Sequence, residues 1–320
     1  MYQIRTDLAL ETQEKMQEDH VRLKGVRFFE ERVDQNLTIS TVTIETENGA
    51  KIMGRPKGTY ITIEASDMDE EDDGYHREIS IELAKVIRRL LPVKKEELSV
   101  LIVGLGNREV TPDALGPRVV DNLLITRHII KEYGKYAFGK NEVNRISSIV
   151  PGVMAQTGME SVEILHGIIK ETKPDLVVAI DALAARSTKR LNRTIQVTDT
   201  GINPGSGVGN HRHGLNEKSL GVPVISIGVP TVVDAATIVN DMMYNLVDAM
   251  LKSGAFKELG DSLDKLNEGE KYELIQELLT PNLNTMFVTP KDIDESVKRL
   301  SFTVSEGLNI AFADMNGELS

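Results

Sequence analysis

The sequence predicts an α/β protein: a mostly parallel central sheet flanked by helices, with an additional N-terminal β-hairpin region and a C-terminal helical segment. Three observations carry this. From residue 98 to 252, aliphatic runs alternate with amphipathic stretches, as in a sheet wound with helices. Thr38–Ile44 and Thr59–Ile63 alternate polar and apolar residues, the pattern of half-buried antiparallel strands. The chain has 320 residues, 40% of them hydrophobic, enough to bury a sizeable core.

Taken in order, Leu8 to Lys24 reads as a helix, with Asp7 placed to cap it. Gly49, Gly54, Pro56 and Gly58 mark turns between the two alternating strands. Asp67–Gly74 is an acidic run without EF-hand spacing, and it reads as a solvated turn before a helix. That helix spans about Tyr75–Leu91, and Pro92 ends it. Leu98–Val103 is a buried strand that breaks at Gly104 and Gly106. A helix follows from Pro112 to about Tyr133, with Thr111 as its cap and Asp113 in its first turn. Ile146–Val150, Leu176–Ala182, Thr194–Val197 and Val222–Val229 read as strands, and Thr157–Thr172 and Val232–Lys252 as helices. Gly201–Gly221 is a Gly-rich loop, residues 253–285 are charged and helical, and a last helix runs from Lys291 to about Leu300.

Composition excludes several functions. With no cysteine there are no disulfides, thiolate metal sites or cysteine nucleophiles, which fits a reducing compartment. The formal charge of −12 disfavours direct nucleic-acid binding, which needs Lys and Arg to replace counterions. No apolar run has the length of a membrane span, and Met1–Asp7 lacks the apolar segment of a signal peptide. Cytoplasm is the expected location.

Two aspartates stand out. Asp113 follows, and Asp181 closes, a strongly aliphatic run. If those strands are neighbours, both carboxyls enter one crevice, where open α/β sheets bind ligands. Two carboxyls that close cannot both ionise freely, and a pair sharing a proton can deprotonate water and protonate a leaving group. Aspartates at strand ends also cap helices and satisfy loop amides, so the pattern alone leaves both roles open. The other signals are weaker. Glu109 stands where a dinucleotide fingerprint needs its third glycine, and Pro112 would crowd a pyrophosphate. Ser206 lacks the strand–turn–helix setting of a nucleophile elbow. His211 and His213 can be drawn as metal ligands with Asp113 and Asp181, although a polar loop is the simpler reading.

Several separate stretches together resemble the germination proteases of spore-forming bacteria. They are Ile4–Glu11, Val103–Asn107 with Thr111–Pro117, Ala179–Ala184 and Ser226–Ala235. The resemblance implies an atypical aspartic-type endopeptidase, similar in fold to hydrogenase maturation proteases and without the D-T-G motifs of pepsin. It implies an enzyme that initiates degradation of small acid-soluble spore proteins during germination. It maps the family's essential aspartates onto Asp113 and Asp181, with no cofactor and no metal. It also implies a zymogen that removes its own N-terminal segment. The family's substrates are cut after an acidic residue, before a bulky apolar one, then Ala, a variable position and Glu. Asp7-Leu8-Ala9-Leu10-Glu11 fits that register. The expected cut is therefore Asp7–Leu8, dividing the chain into a propeptide (1–7), a catalytic domain (8–252, with antiparallel strands at about 38–63) and a helical extension (253–320). A homotetramer in the cytoplasm of the forespore and spore core is implied as well. The substrates coat DNA, but no basic patch supports direct nucleic-acid contact. Two rival readings are a metal-dependent protease of the maturation type, using His211 or His213, and a non-enzymatic module that binds a small ligand in the same crevice.

Overall fold

The structure, a computed structural model, describes residues 6–18, 20–66, 68, 73–92, 95, 97–139, 143–205, 213–266, 270 and 286–313. The strands are β1 (Val26–Arg32), β2 (Leu37–Ile44), β3 (Gly58–Ala65), β4 (Ser99–Gly104), β5 (Arg145–Ile149), β6 (Leu176–Ala185), β7 (Thr194–Thr198), β8 (Val224–Asp234) and β9 (Phe287–Val288). They form one sheet in the order β1-β2-β3-β7-β8-β6-β4-β5, with β9 on β8. The core is parallel: β5, β4, β6 and β8 run the same way, because helical crossovers join most of them. The N-terminal strands extend the same sheet in antiparallel fashion through β3 and β7.

The helices are α1 (Ala9–Glu18), α2 (Glu47–Met53), α3 (Asp73–Leu90), α4 (Leu115–Asp121), α5 (Arg127–Tyr133), α6 (Ser161–Thr172), α7 (Ala235–Lys252), α8 (Lys257–Asp264) and α9 (Ile293–Ala313). Alternation along each strand sorts the core into two faces. On one, Ile61, Ile63, Val100, Ile102, Val178, Ile180 and Ile227 pack with Leu83 of α3, Val119 of α4 and Val304 of α9. On the other, Leu101, Val103, Val177, Ala179 and Val224 pack with Leu165 of α6 and with Leu215 and Leu220. Helix α9 is thus an integral part of the core, with Val297, Leu300, Val304 and Leu308 all buried.

Several elements differ from the sequence reading. β1 is largely exposed, so its Phe28-Phe29-Glu30-Glu31 run carries no alternation to betray it. The stretch read as turns holds α2, whose N–H of Gly49 is accepted by Thr46 Oγ1 at 3.0 Å and which stops at left-handed Gly54. The helix expected from Pro112 to Tyr133 is broken into a 3₁₀ turn (Thr111–Asp113), α4 and α5. Tertiary bonds interrupt it: Leu124 N–H donates to Asn309 Oδ1 at 2.9 Å, and Thr126 Oγ1 accepts the N–H of Ile146 at 2.9 Å. Thr111 is no cap, since its hydroxyl donates to Asp294 Oδ1 at 2.7 Å. β6 runs on to Ala185, so Asp181 lies inside the strand. Met1–Arg5, Ser206, His211, most of the acidic run 67–74 and much of 253–285 lie outside the described residues.

Candidate active site

Asp113 sits on the 3₁₀ turn that follows β4, and this turn packs against β6 and β8. The turn is fixed from three sides. Asp113 Oδ2 accepts the N–H of Asn107 at 2.7 Å, and the Asp113 N–H donates to Val110 O at 2.8 Å. The Thr231 hydroxyl of β8 donates to Pro112 O at 2.7 Å. Gly104 and Gly106 serve close approach. A Cβ on Gly106, at φ +113°, would lie 1.9 Å from Asp113 O and 3.1 Å from its Oδ1. Opposite them, a Cβ on Gly116 at the start of α4 would lie 2.4 Å from Leu105 O and 2.6 Å from Ile180 O. Gly106→Ala should therefore displace the turn that bears Asp113, with a stability loss of about 1–3 kcal/mol that a thermal melt checks.

Asp181 is only 5% exposed. Its Oδ1 accepts the N–H of Ala182 at 3.0 Å. By alternation it shares a face with Ala179 and Leu183, between two separate apolar clusters. Across the sheet, Asp181 is in register with Gly228, and Gly228 with Gln196. In-register residues point to one side, so Asp181 and Gln196 flank a glycine on the same face, roughly 10 Å apart at Cα from two strand spacings. A Cβ on Gly228 would come within 2.4 Å of Leu183 Cδ1, so the glycine lets Leu183 fold over the row.

The N-terminal segment lies over this face. Asp7 N–H donates to Ala184 O at 2.9 Å, and Ala184 N–H donates to Asp7 Oδ2 at 2.9 Å. The Gln196 carboxamide spans the next peptide: Nε2 donates to Asp7 O at 3.0 Å and Oε1 accepts the Ala9 N–H at 2.7 Å. Leu8 is fully buried with Leu183, Leu191 and Val233. Glu11 is 3% exposed, and its carboxylate accepts the N–H groups of Arg186 at 2.7 Å and Ser187 at 2.9 Å. Sequence reasoning missed Gln196. One faint signal existed for Gln196, the single long polar residue in the alternating strand Thr194–Thr198.

His213 is exposed, and its Nδ1 lies 2.5 Å from Glu160 Oε2. Among the described residues, no group of three or more His, Asp or Glu side chains is arranged to hold a metal ion. No described helix is long and apolar enough to cross a membrane.

The sequence profile of the germination protease family matches residues 4–259 and 255–318. The chain belongs to the germination protease family. Germination proteases similar to it include one from Caldanaerobacter subterraneus subsp. tengcongensis, 47% identical over 312 residues, covering 96% of this chain and 94% of that one. Another, from Clostridium perfringens, is 44% identical over 97% of this chain and 95% of its own length. A third, from Bacillus cytotoxicus, is 40% identical over 97% and 94%. Among solved structures, a NiFe hydrogenase maturation protease, HycI of Thermococcus kodakarensis KOD1, aligns with 70% of this chain and 99% of its own, at 18% identity and a TM-score of 0.31. As a germination protease the chain is a peptidase of spore germination.

Proposed function

We propose that this germination protease is an aspartic-type endopeptidase that cuts itself between Asp7 and Leu8 and then begins the degradation of small acid-soluble spore proteins. Asp113 and Asp181 activate the water. One observation carries this reading: the row Asp181–Gly228–Gln196 bears both an aspartate and the carboxamide that grips the backbone on either side of Leu8. The turn bearing Asp113 packs on the same strands from the C-terminal end of β4.

In this mechanism the carboxyl pair shares one proton. The ionised carboxylate takes a proton from water as the water oxygen adds to the peptide carbonyl carbon. The protonated partner gives its proton to the carbonyl oxygen. The tetrahedral diol then collapses: the carboxylate left ionised takes back the proton of one diol hydroxyl, the C–N bond breaks, and the other carboxyl gives its proton to the leaving amine. Water is thereby split across the bond, and no covalent enzyme intermediate forms. Residues 1–7 are the propeptide, 8–252 the catalytic domain and 253–320 its extension, whose helix α9 packs into the domain's own core. The enzyme works as a homotetramer in the cytoplasm of the forespore and spore core without touching nucleic acid. Apolar side chains that assembly would cover are available, among them Phe29 at 59% and Met242 at 64% exposure.

Incubating the purified full-length chain and weighing the product tests this reading. The mature chain is expected to begin at Leu8, in the presence or absence of a chelator. Any other N-terminus overturns the processing site. Loss of activity with chelator, and rescue by a divalent cation, would favour the metal-dependent rival.

A further inference from the structure

A cavity of about 90 Å³ opens beside Asp7, bordered by Arg55, Tyr60, Gln196, Thr198, Asn203 and Ser226 among others. Arg55 Nη2 donates to Thr6 O at 3.0 Å, so the guanidinium is fixed one residue ahead of Asp7. Burial works against its charge, and among the groups that favour that charge Asp7 comes first, ahead of Tyr60 and Glu11. Ser226 is 2% exposed, and among the described residues its hydroxyl has no hydrogen-bond partner. A half-buried cation, a carboxamide and an unsatisfied hydroxyl around one cavity suit an anionic side chain, because a partly desolvated charge favours an opposite one.

The contacts around Asp7 divide into two kinds. Gln196 holds only main-chain atoms, Asp7 O and Ala9 N–H, as a neighbouring strand would, and so is indifferent to the side chains it grips. The Ala184 N–H instead bonds the Asp7 carboxylate itself, and the Arg55 guanidinium, held at Thr6 O, borders the same cavity as Asp7. Position and identity are thus read by different groups.

We propose that Arg55, with the Ala184 N–H, forms the subsite that selects an acidic residue immediately before the cut, and that Gln196 positions the backbone there. The inference rests on cleavage at Asp7–Leu8. Release of residues 1–7 would leave Arg55, the Ala184 N–H and Gln196 Nε2 open to the acidic side chain and carbonyl of an incoming peptide.

The test is a double-mutant cycle on self-processing of the full chain, followed by mass spectrometry. Asp7→Asn and Arg55→Gln should each slow release of residues 1–7 by about tenfold or more, the factor expected for a charge-assisted contact. The double variant should be no slower than the slower single, because each substitution removes the same proposed charge pairing. Arg55→Lys keeps the charge and should recover part of the rate. Gln196→Ala should slow the unsubstituted chain and the Asp7→Asn chain by the same factor, a pattern that generic unfolding, followed by melting curves, would not give. If Asp7→Asn and Arg55→Gln multiply, or if Asp7→Asn processes at the unsubstituted rate, the subsite is overturned while the cut stands. If the unsubstituted chain matures to an N-terminus other than Leu8, the cut is wrong and the subsite falls with it.

Discussion

Replacing Asp181 by Asn is expected to lower peptide cleavage and self-processing at least about a thousandfold while leaving the melting temperature nearly unchanged. The substitution is isosteric. Asn Oδ1 can still accept the Ala182 N–H that Asp181 Oδ1 accepts at 3.0 Å, and the site stays filled at 5% exposure. What is lost is the capacity to take a proton from water or to give one back. Asp113→Asn should behave likewise, because an amide oxygen can replace Oδ2 as acceptor for the Asn107 N–H. If the two carboxyls work as one unit, the double variant should be scarcely slower than either single. A purely structural role predicts the opposite set of results: Asn, which caps and accepts as Asp does, would keep its activity. Cleavage of a peptide from an acid-soluble spore protein, followed by chromatography, with a thermal melt on each variant, separates the two. Retained turnover in either single variant removes that residue from the mechanism.

Much of the frame was legible because it is written in periodicity. The aliphatic runs of β4 and β6, the alternation of β2 and β3, and the amphipathic pattern of α3 each reflect burial on defined faces. The misread elements are those that tertiary bonds shape. Nothing local to residues 112–133 says that Asn309 will take the N–H of Leu124 and so part α4 from α5. Asp181 looked like a strand end because the apolar run falters there, but β8 continues alongside as far as Ala185 opposite Val233. The two aspartates were visible because each adjoins a strong strand. Arg55 and Gln196 were not, because their meaning depends on a segment nearly 50 residues away in one case and nearly 190 in the other. The glycines show the same limit: the missing third glycine argues against a phosphate loop, but nothing local says that Gly106 is needed for the close approach of Asp113.

Arg190→Met is expected to cost about 3 kcal/mol of stability, seen as a fall in melting temperature of about 3–6 °C for a chain of this size. Arg190 joins three elements. Its Nη1 and Nη2 each bond the Glu14 carboxylate of α1 at 2.7 Å, its Nε bonds Glu64 of β3 at 2.7 Å, and Nη1 lies 3.6 Å from Glu11. Burial opposes the charge, but the bonds to Glu14 and Glu64 outweigh it and raise the Arg190 pKa above its ordinary value. Removing the cation strands unequal partners. Glu14, at 43% side-chain exposure, can turn to water, whereas Glu11, at 2%, cannot. Glu11 does keep the Arg186 and Ser187 N–H groups, which is why the cost falls at the low end of that for breaking a buried pair. Arg190→Lys should recover less than half, since a point charge cannot reproduce the fork on Glu14. The loss should be local before it is global. Hydrogen exchange in α1 should quicken while amides of β4 and β6 stay protected, because α1 is tied down by these ion pairs and the central strands by the core. An α1 loosened this way no longer holds Leu8 and Ala9 in register with Gln196. Self-processing should therefore slow in Arg190→Met even well below its melting temperature, and equal protection loss throughout the sheet would show that Arg190 stabilises the whole domain instead.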